Sequence, residues 1–285
     1  MGKKVILAAV YFINQMPQAE RGIVRRLVED LEARRAAAET QIDIFEANIE
    51  NKSELEKFFK EVTDNAASHQ DGHVIFHIDA HSDKTGIEVN GEMIPWKEFF
   101  TLLRSVNKAL HGRLSIHLAA CRAAWSLKVV DINKSAPFMG LIAPTIDISA
   151  EDSIAIYRTF YEIVFEQRNY RAAMMAMLHE AKGRKIGIHL TTAARLFCDG
   201  AASFLEKENT AKKRQQRLET MVSTMNKLGF NGLAFRKMMR TMTNSDPIPY
   251  LNKSWRRFTL LDVYPDLIEE VKAQMPLEML KLLRE

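Results

Sequence analysis

The chain predicts an α/β fold, a mainly parallel sheet flanked by helices and followed by a helical C-terminal appendage, and three observations carry that expectation. Short apolar runs rich in β-branched and aromatic residues recur along the first half, at residues 5–12, 41–47, 73–78 and 114–120. Segments with apolar residues at helical spacing separate them, the alternation expected of parallel strands joined by right-handed crossovers. From about Ile188 onward strand signals fade, and apolar residues recur at helical spacing alone.

Each element has its own signal. VILAAVYF reads as the first buried strand. Lys3 and Lys4 before it give a signal-peptide flavour, but no small-residue cleavage site follows. Ile23, Leu27 and Leu31 mark a helix from about Ala19 to Thr40, and QIDIFEA alternates like a second strand. Ser53, three residues before Glu56, has a capping-box spacing and should open a helix bearing Leu55, Phe58, Phe59 and Val62. HVIFHI is the third strand; TGIEV and EMIP form a hairpin around Asn90-Gly91, a dipeptide suited to φ > 0. A helix from Trp96 to Leu110, the strand LSIHLAA and a further buried strand within APFMGLIAPTIDI follow, with Gly140 and Pro144 marking a kink or edge. Helices from about Ala150 to Gln167 and Tyr170 to Lys182 complete the first domain, 1–187; residues 188–285 form the helical region, broken at NSDPIPY.

The 285 residues carry a net charge of +4 with 47% hydrophobic and 27% charged residues, an ordinary globular balance. No apolar stretch reaches the ~20 residues of a membrane span, so no membrane role is expected. Two cysteines, Cys121 and Cys198, are too few for a disulfide framework, which points to a reducing, cytoplasmic setting. Basic residues gather in AKKRQQR and around Arg236, Lys237 and Arg240, but without an aromatic platform they read as a solvated helix face rather than a nucleic-acid site.

Two apolar runs end in reactive side chains: HVIFHIDAH closes on His81 and RLSIHLAAC on Cys121. If both runs are parallel neighbours, their C-terminal ends bring an imidazole beside a thiol, the pair needed for cysteine-nucleophile chemistry. Cysteine is also a common core residue, and Cys198 in LFCDG is expected to be one. His73, His77, His111, His117, His179 and His189 read as packing or surface residues, although His77 and His117 share strand faces with His81 and Cys121.

A strand ending in His, a hairpin, a helix and a strand ending in Ala-Cys resemble the caspase-like cysteine peptidases. The downstream stretch, APFMGLIAPTIDI and then AEDSIAIYRTFYEIVFEQRNYRAAMMAML with its Phe160-Tyr161 pair, is similar to the bacterial CHAT branch. The resemblance covers roughly the first 185 residues and implies a caspase-hemoglobinase-like sheet and a Cys121–His81 dyad. It further implies an oxyanion hole from the backbone N–H groups of Ser82 and Cys121. Relatives carry Gly where this chain has Ser82, which keeps the donor but would be strained if φ > 0 were required there. No cofactor or metal is implied. The substrate would be a protein or peptide. Asp79, Asp83 and Asp147, expected near the strand ends with Arg122 the nearest cation, suggest a pocket for Arg or Lys. The resemblance also implies a regulated effector, of the kind that serves antiviral defence or cell death.

Two other readings compete. Asp79-Ala80-His81-Ser82-Asp83 resembles the Asp-x-His-x-Asp segment with which ureohydrolases bind paired manganese, but the companion segments of that family are absent. A catalytically idle caspase-like interaction module is the other. The region 188–285 is the expected place for a sensor of a nucleotide signal, a protein partner site or a homo-oligomer surface. There Trp255 beside Arg256 and Arg257 could grip an anion, and Met238, Met239 and Phe258 read as core.

Overall fold

The computed structural model describes residues 6–37, 41–69, 72–229, 231, 236, 240 and 246–283. Two compact units divide the chain. One comprises Met1–Asp131 and Ser135–Ala193, the other Ile132–Lys134 and Ala194–Glu285.

The first unit is built on strands β1 (Leu7–Asn14), β2 (Asp43–Asn48), β3 (His73–Asp79), β6 (Leu114–Ala119), β7 (Gly140–Pro144) and β8 (Ile188–Thr192), in the spatial order β2-β1-β3-β6-β7-β8. All neighbours are parallel except β7 and β8, which are antiparallel. A separate hairpin joins β4 (Gly86–Val89) to β5 (Glu92–Pro95), and its turn places Asn90 and Gly91 at φ 45° and 91°, as the Asn-Gly pair predicts. The α/β expectation thus holds. Because β2 and β3 flank β1 on opposite sides, the strand order reverses at β1, the kind of switch point beside which open α/β sheets bind ligands at the strands' carboxyl ends.

Helices cover both faces. On one lie α1 (Gly22–Ala37), α4 (Ala150–Gln167) and α5 (Tyr170–Gly183), whose Leu27, Leu31, Ile156, Phe160 and Met177 pack with Val10, Phe12, Ile75 and Ile142 of the strands. On the other lie α2 (Lys52–Asp64) and α3 (Trp96–Ala109), where Phe59 stacks on Phe76 at 5.7 Å and meets Phe99 at 6.1 Å. Arg34 of α1 reaches Glu162 and Glu166 of α4, both at 2.7 Å.

Two boundaries move. The helix expected to open at Ser53 is capped two residues earlier. Asn51 accepts from the Glu54 N–H at 3.0 Å while the Glu54 carboxylate accepts from the Glu50 N–H at 2.8 Å, because asparagine caps as well as serine and recruits the nearer glutamate. The stretch Ile188–Thr192, beyond the expected boundary at 187, is the sheet's antiparallel edge strand. Only Thr191 of its five residues is buried, so it lacks the apolar run of a central strand. Gly187 leads into it, where a Cβ would collide with the Thr145 hydroxyl oxygen.

The second unit, described by itself, contains α6 (Ala193–Ser203, from its second residue on), a π-turn at Phe204–Glu208, α7 (Ala211–Lys227) and helices Ile248–Phe258, Ile268–Lys272 and Leu277–Leu282. Phe197, Leu251, Trp255, Phe258, Leu260 and Leu261 are buried. The burial of Trp255 removes it as a stacking surface for an anion: its indole faces the core. Phe258 is core as expected, whereas Met238 and Met239 lie outside the described residues. In AKKRQQR, Arg214 and Arg217 donate to the carbonyls of Asn209 and Glu208, closing the turn before α7. No helix among the described residues is long and apolar enough to cross a membrane.

Candidate active site

β3 and β6 are direct neighbours, with Asp79 opposite Ala119. His81 and Cys121 each follow two residues later, so the register carries both onto adjoining strand tips. A second tie holds the tips together: the Ser82 hydroxyl donates to the Cys121 carbonyl at 2.5 Å. The residue after the histidine therefore serves as a side-chain clamp, a role glycine could not fill.

The backbone is fixed from both sides. Glu88 N–H donates to His81 O at 2.8 Å and Asp83 N–H to Gly86 O at 3.1 Å, which makes Ser82 and Ile87 a non-hydrogen-bonded antiparallel pair. The bridge thus leaves the Ser82 N–H unused. Among the described residues neither that group nor the Cys121 N–H meets an acceptor. The left-handed residue at these tips is Arg122, at φ 54°, and not Ser82. Its N–H donates to Ile146 O at 3.1 Å, and it opens the 3-10 turn Ala123–Val129.

The two reactive side chains face different neighbours. The half-exposed His81 ring presents Nε2 to the Glu20 carboxylate at 3.4 Å. Cys121 is partly buried, and its thiol donates to Ile148 O at 3.6 Å. No hydrogen bond joins the thiol to the imidazole. Cys198, by contrast, is buried, and desolvation pushes its thiol up to about 11.

All three acids expected to line a substrate pocket are engaged by the chain itself. Asp79 holds His77 Nε2 at 2.9 Å. The Asp83 carboxylate accepts from the Thr85 hydroxyl and N–H, both at 2.6 Å, and from the Gly86 N–H at 3.1 Å, which holds its carboxyl below the usual range. Asp147 pairs with Arg122 at 2.6 Å. The acids of the Asp79–Asp83 segment thus turn to separate partners, and among the described residues no three metal-ligating side chains converge.

Behind the tips lies a buried polar chain. Asp79 holds His77, whose Nδ1 meets the Tyr161 hydroxyl at 3.1 Å; that hydroxyl also meets His117 Nδ1 at 3.2 Å, and His117 Nε2 meets the Tyr170 hydroxyl at 3.3 Å. Tyr157, one turn before Tyr161 on α4, donates to Leu118 O at 2.8 Å. Burial, with His77 adjacent, holds the His117 imidazole well below its ordinary value, and burial raises the Tyr170 hydroxyl to about 12. The shared strand face of His77 and His117 was visible in the alternation of the strands, but the tyrosines that join them were not. Gln15, at the end of β1, is 1% exposed, and neither atom of its amide has a partner among the described residues.

No protein-family model and no curated protein sequence matches this chain.

Proposed function

We propose that the chain is a cysteine endopeptidase with a caspase-like Cys121–His81 dyad. The observation that carries this reading is the pair of adjoining strand tips, tied by the Ser82 hydroxyl to the Cys121 carbonyl, with the Ser82 and Cys121 backbone N–H groups meeting no acceptor among the described residues.

The chemistry follows from those groups. His81 takes the Cys121 proton, and the thiolate attacks the peptide carbonyl carbon. The carbonyl oxygen becomes an oxyanion that accepts from the Ser82 and Cys121 N–H groups. The imidazolium then protonates the departing amine, the C–N bond breaks, and a thioester remains on Cys121. Water, deprotonated by His81, hydrolyses that thioester and restores the thiol. Glu20, 3.4 Å from Nε2, is placed to hold the ring by that nitrogen and leave Nδ1 for the thiol. Hydrogen bonds within such pairs commonly tighten only when substrate binds.

The preference for Arg or Lys expected of Asp79, Asp83 and Asp147 loses its support, since each carboxylate already has a partner within the chain. A regulated effector role in antiviral defence or cell death, within a reducing cytoplasm, remains the wider proposal; it rests on the family resemblance, and both cysteines are free.

A second reading, an idle scaffold, is favoured by the imidazole facing Glu20 and the thiol facing Ile148 O. Cleavage of a fluorogenic peptide library by the purified chain, its Cys121→Ala variant and its His81→Ala variant separates the two. The peptidase reading expects cleavage by the parent and a loss of about 100-fold or more in each variant. Cleavage that survives in Cys121→Ala overturns it. Silence from the folded parent, with Cys121 no more reactive to a thiol alkylator than an ordinary exposed cysteine, favours the scaffold.

A further inference from the structure

The loops that follow His81 and Cys121 meet at one indole. Trp125, four residues beyond Cys121, has the Lys84 ammonium 4.5 Å from its ring centroid and the Lys128 ammonium 3.5 Å from it. Lys84 sits three residues beyond His81, in the turn organised by the Asp83 carboxylate, and the Trp96 indole N–H donates to Asp83 O at 3.0 Å. Trp125 sits in the 3-10 turn opened by Arg122, its N–H donating to Arg122 O at 3.0 Å. Both loops are thus held by their own hydrogen bonds, and the lysines are presented on fixed backbone.

The charge balance of this group is unusual. A single lysine over an exposed indole is a modest, self-sufficient contact. Two lysines sharing one indole repel each other, and among the described residues neither has a carboxylate partner. Arg122, the other cation of these tips, is neutralised by Asp147 at 2.6 Å, so the uncompensated charge lies on the two lysines. A carboxylate that reaches either ammonium would offset the like charge gathered around the ring and gain a charge-assisted hydrogen bond beside the indole.

We propose that Lys84, Trp125 and Lys128 form a specificity subsite that takes an acidic side chain, Asp or Glu, of a peptide substrate. The inference rests on the peptidase reading for the word substrate, and on the Lys–Trp–Lys geometry for the subsite.

The test uses the full chain as Cys121→Ala, which can bind peptides without cleaving them. Trp96 and Trp255 are 1% and 3% exposed, so the half-buried Trp125 is the indole whose emission should respond to a ligand. Matched peptide sets carrying Glu, Gln or Lys at each position in turn are titrated by this signal. A Glu peptide should bind about tenfold more tightly than its Gln isostere at low salt, and the advantage should shrink as salt rises from about 50 to 500 mM. Lys84→Gln with Lys128→Gln should erase the preference, and Lys84→Glu with Lys128→Glu should turn it towards Lys peptides, a gain that misfolding cannot imitate. Equal binding of the three sets, no binding by any of them, or an acid preference that survives the double Gln change overturns the subsite. Acid preference in binding without cleavage by the parent chain sinks the peptidase reading alone; cleavage by the parent without acid preference sinks the subsite alone.

Discussion

At the scale of single residues, Ser82 shows how a side chain beside a candidate catalytic histidine can be put to structural use. The resemblance places glycine after the histidine, yet Ser82 avoids the left-handed region and spends its hydroxyl on the Cys121 carbonyl, while the left-handed torsion falls to Arg122. Nothing in the sequence distinguishes a serine that clamps a neighbouring loop from one that faces water, because the partner lies 39 residues away. Ser82→Ala should cost about 1 kcal/mol, the worth of one such hydrogen bond, read as a lower denaturant midpoint at unchanged slope. If the dyad is catalytic, peptide cleavage should fall in that variant under conditions where it remains fully folded. A variant with the parent's midpoint and cleavage rate would show the clamp to be idle.

At the scale of elements, α4 does two jobs. Its Phe160 and Ile156 bury against the sheet, as the helical spacing predicts, while Tyr157 and Tyr161 bind the polar groups that β3 and β6 bring to that face. Tyr161→Phe keeps the ring and removes a hydroxyl that serves both His77 and His117. Leaving buried imidazoles short of a partner should cost about 2 kcal/mol, well above the few tenths expected for an exposed tyrosine, and a urea melt measures it. Central strands and long amphipathic helices were legible because unbroken apolar runs and periodic stripes follow directly from burial. The edge strand Ile188–Thr192 was not legible, since one buried residue in five leaves no such run. The cap of α2 was misplaced by two residues because Asn51 and Ser53 satisfy the same local chemistry.

At the scale of the whole molecule, stability should depend on acidity through the buried network. The His117 ring is held neutral below its ordinary value by burial, so the unfolded chain binds its proton first as pH falls. This contribution is fully present above about pH 6.5 and is lost progressively as pH falls from there towards the folded value, by at most about 1.4 kcal/mol per pH unit for one group. Melting midpoints between about pH 7 and pH 5 should therefore fall more steeply for the parent than for His117→Phe with Tyr161→Phe; parallel slopes would exclude this histidine as the cause. The adjacency of His81 and Cys121 was readable because the strands that precede them are parallel neighbours in matched register. The contacts made by their rings and loops, to Glu20, Ile148 and Trp125, depend on loop paths that periodicity does not encode. The opposed histidines also bear on how the chain avoids misalignment. Sliding β3 by two residues against β6 would keep every oily side chain on its proper layer, yet it would part His77 from His117 and take one of them away from the phenol they share. The network thus acts as a proofreading device for strand pairing that greasy packing by itself does not provide.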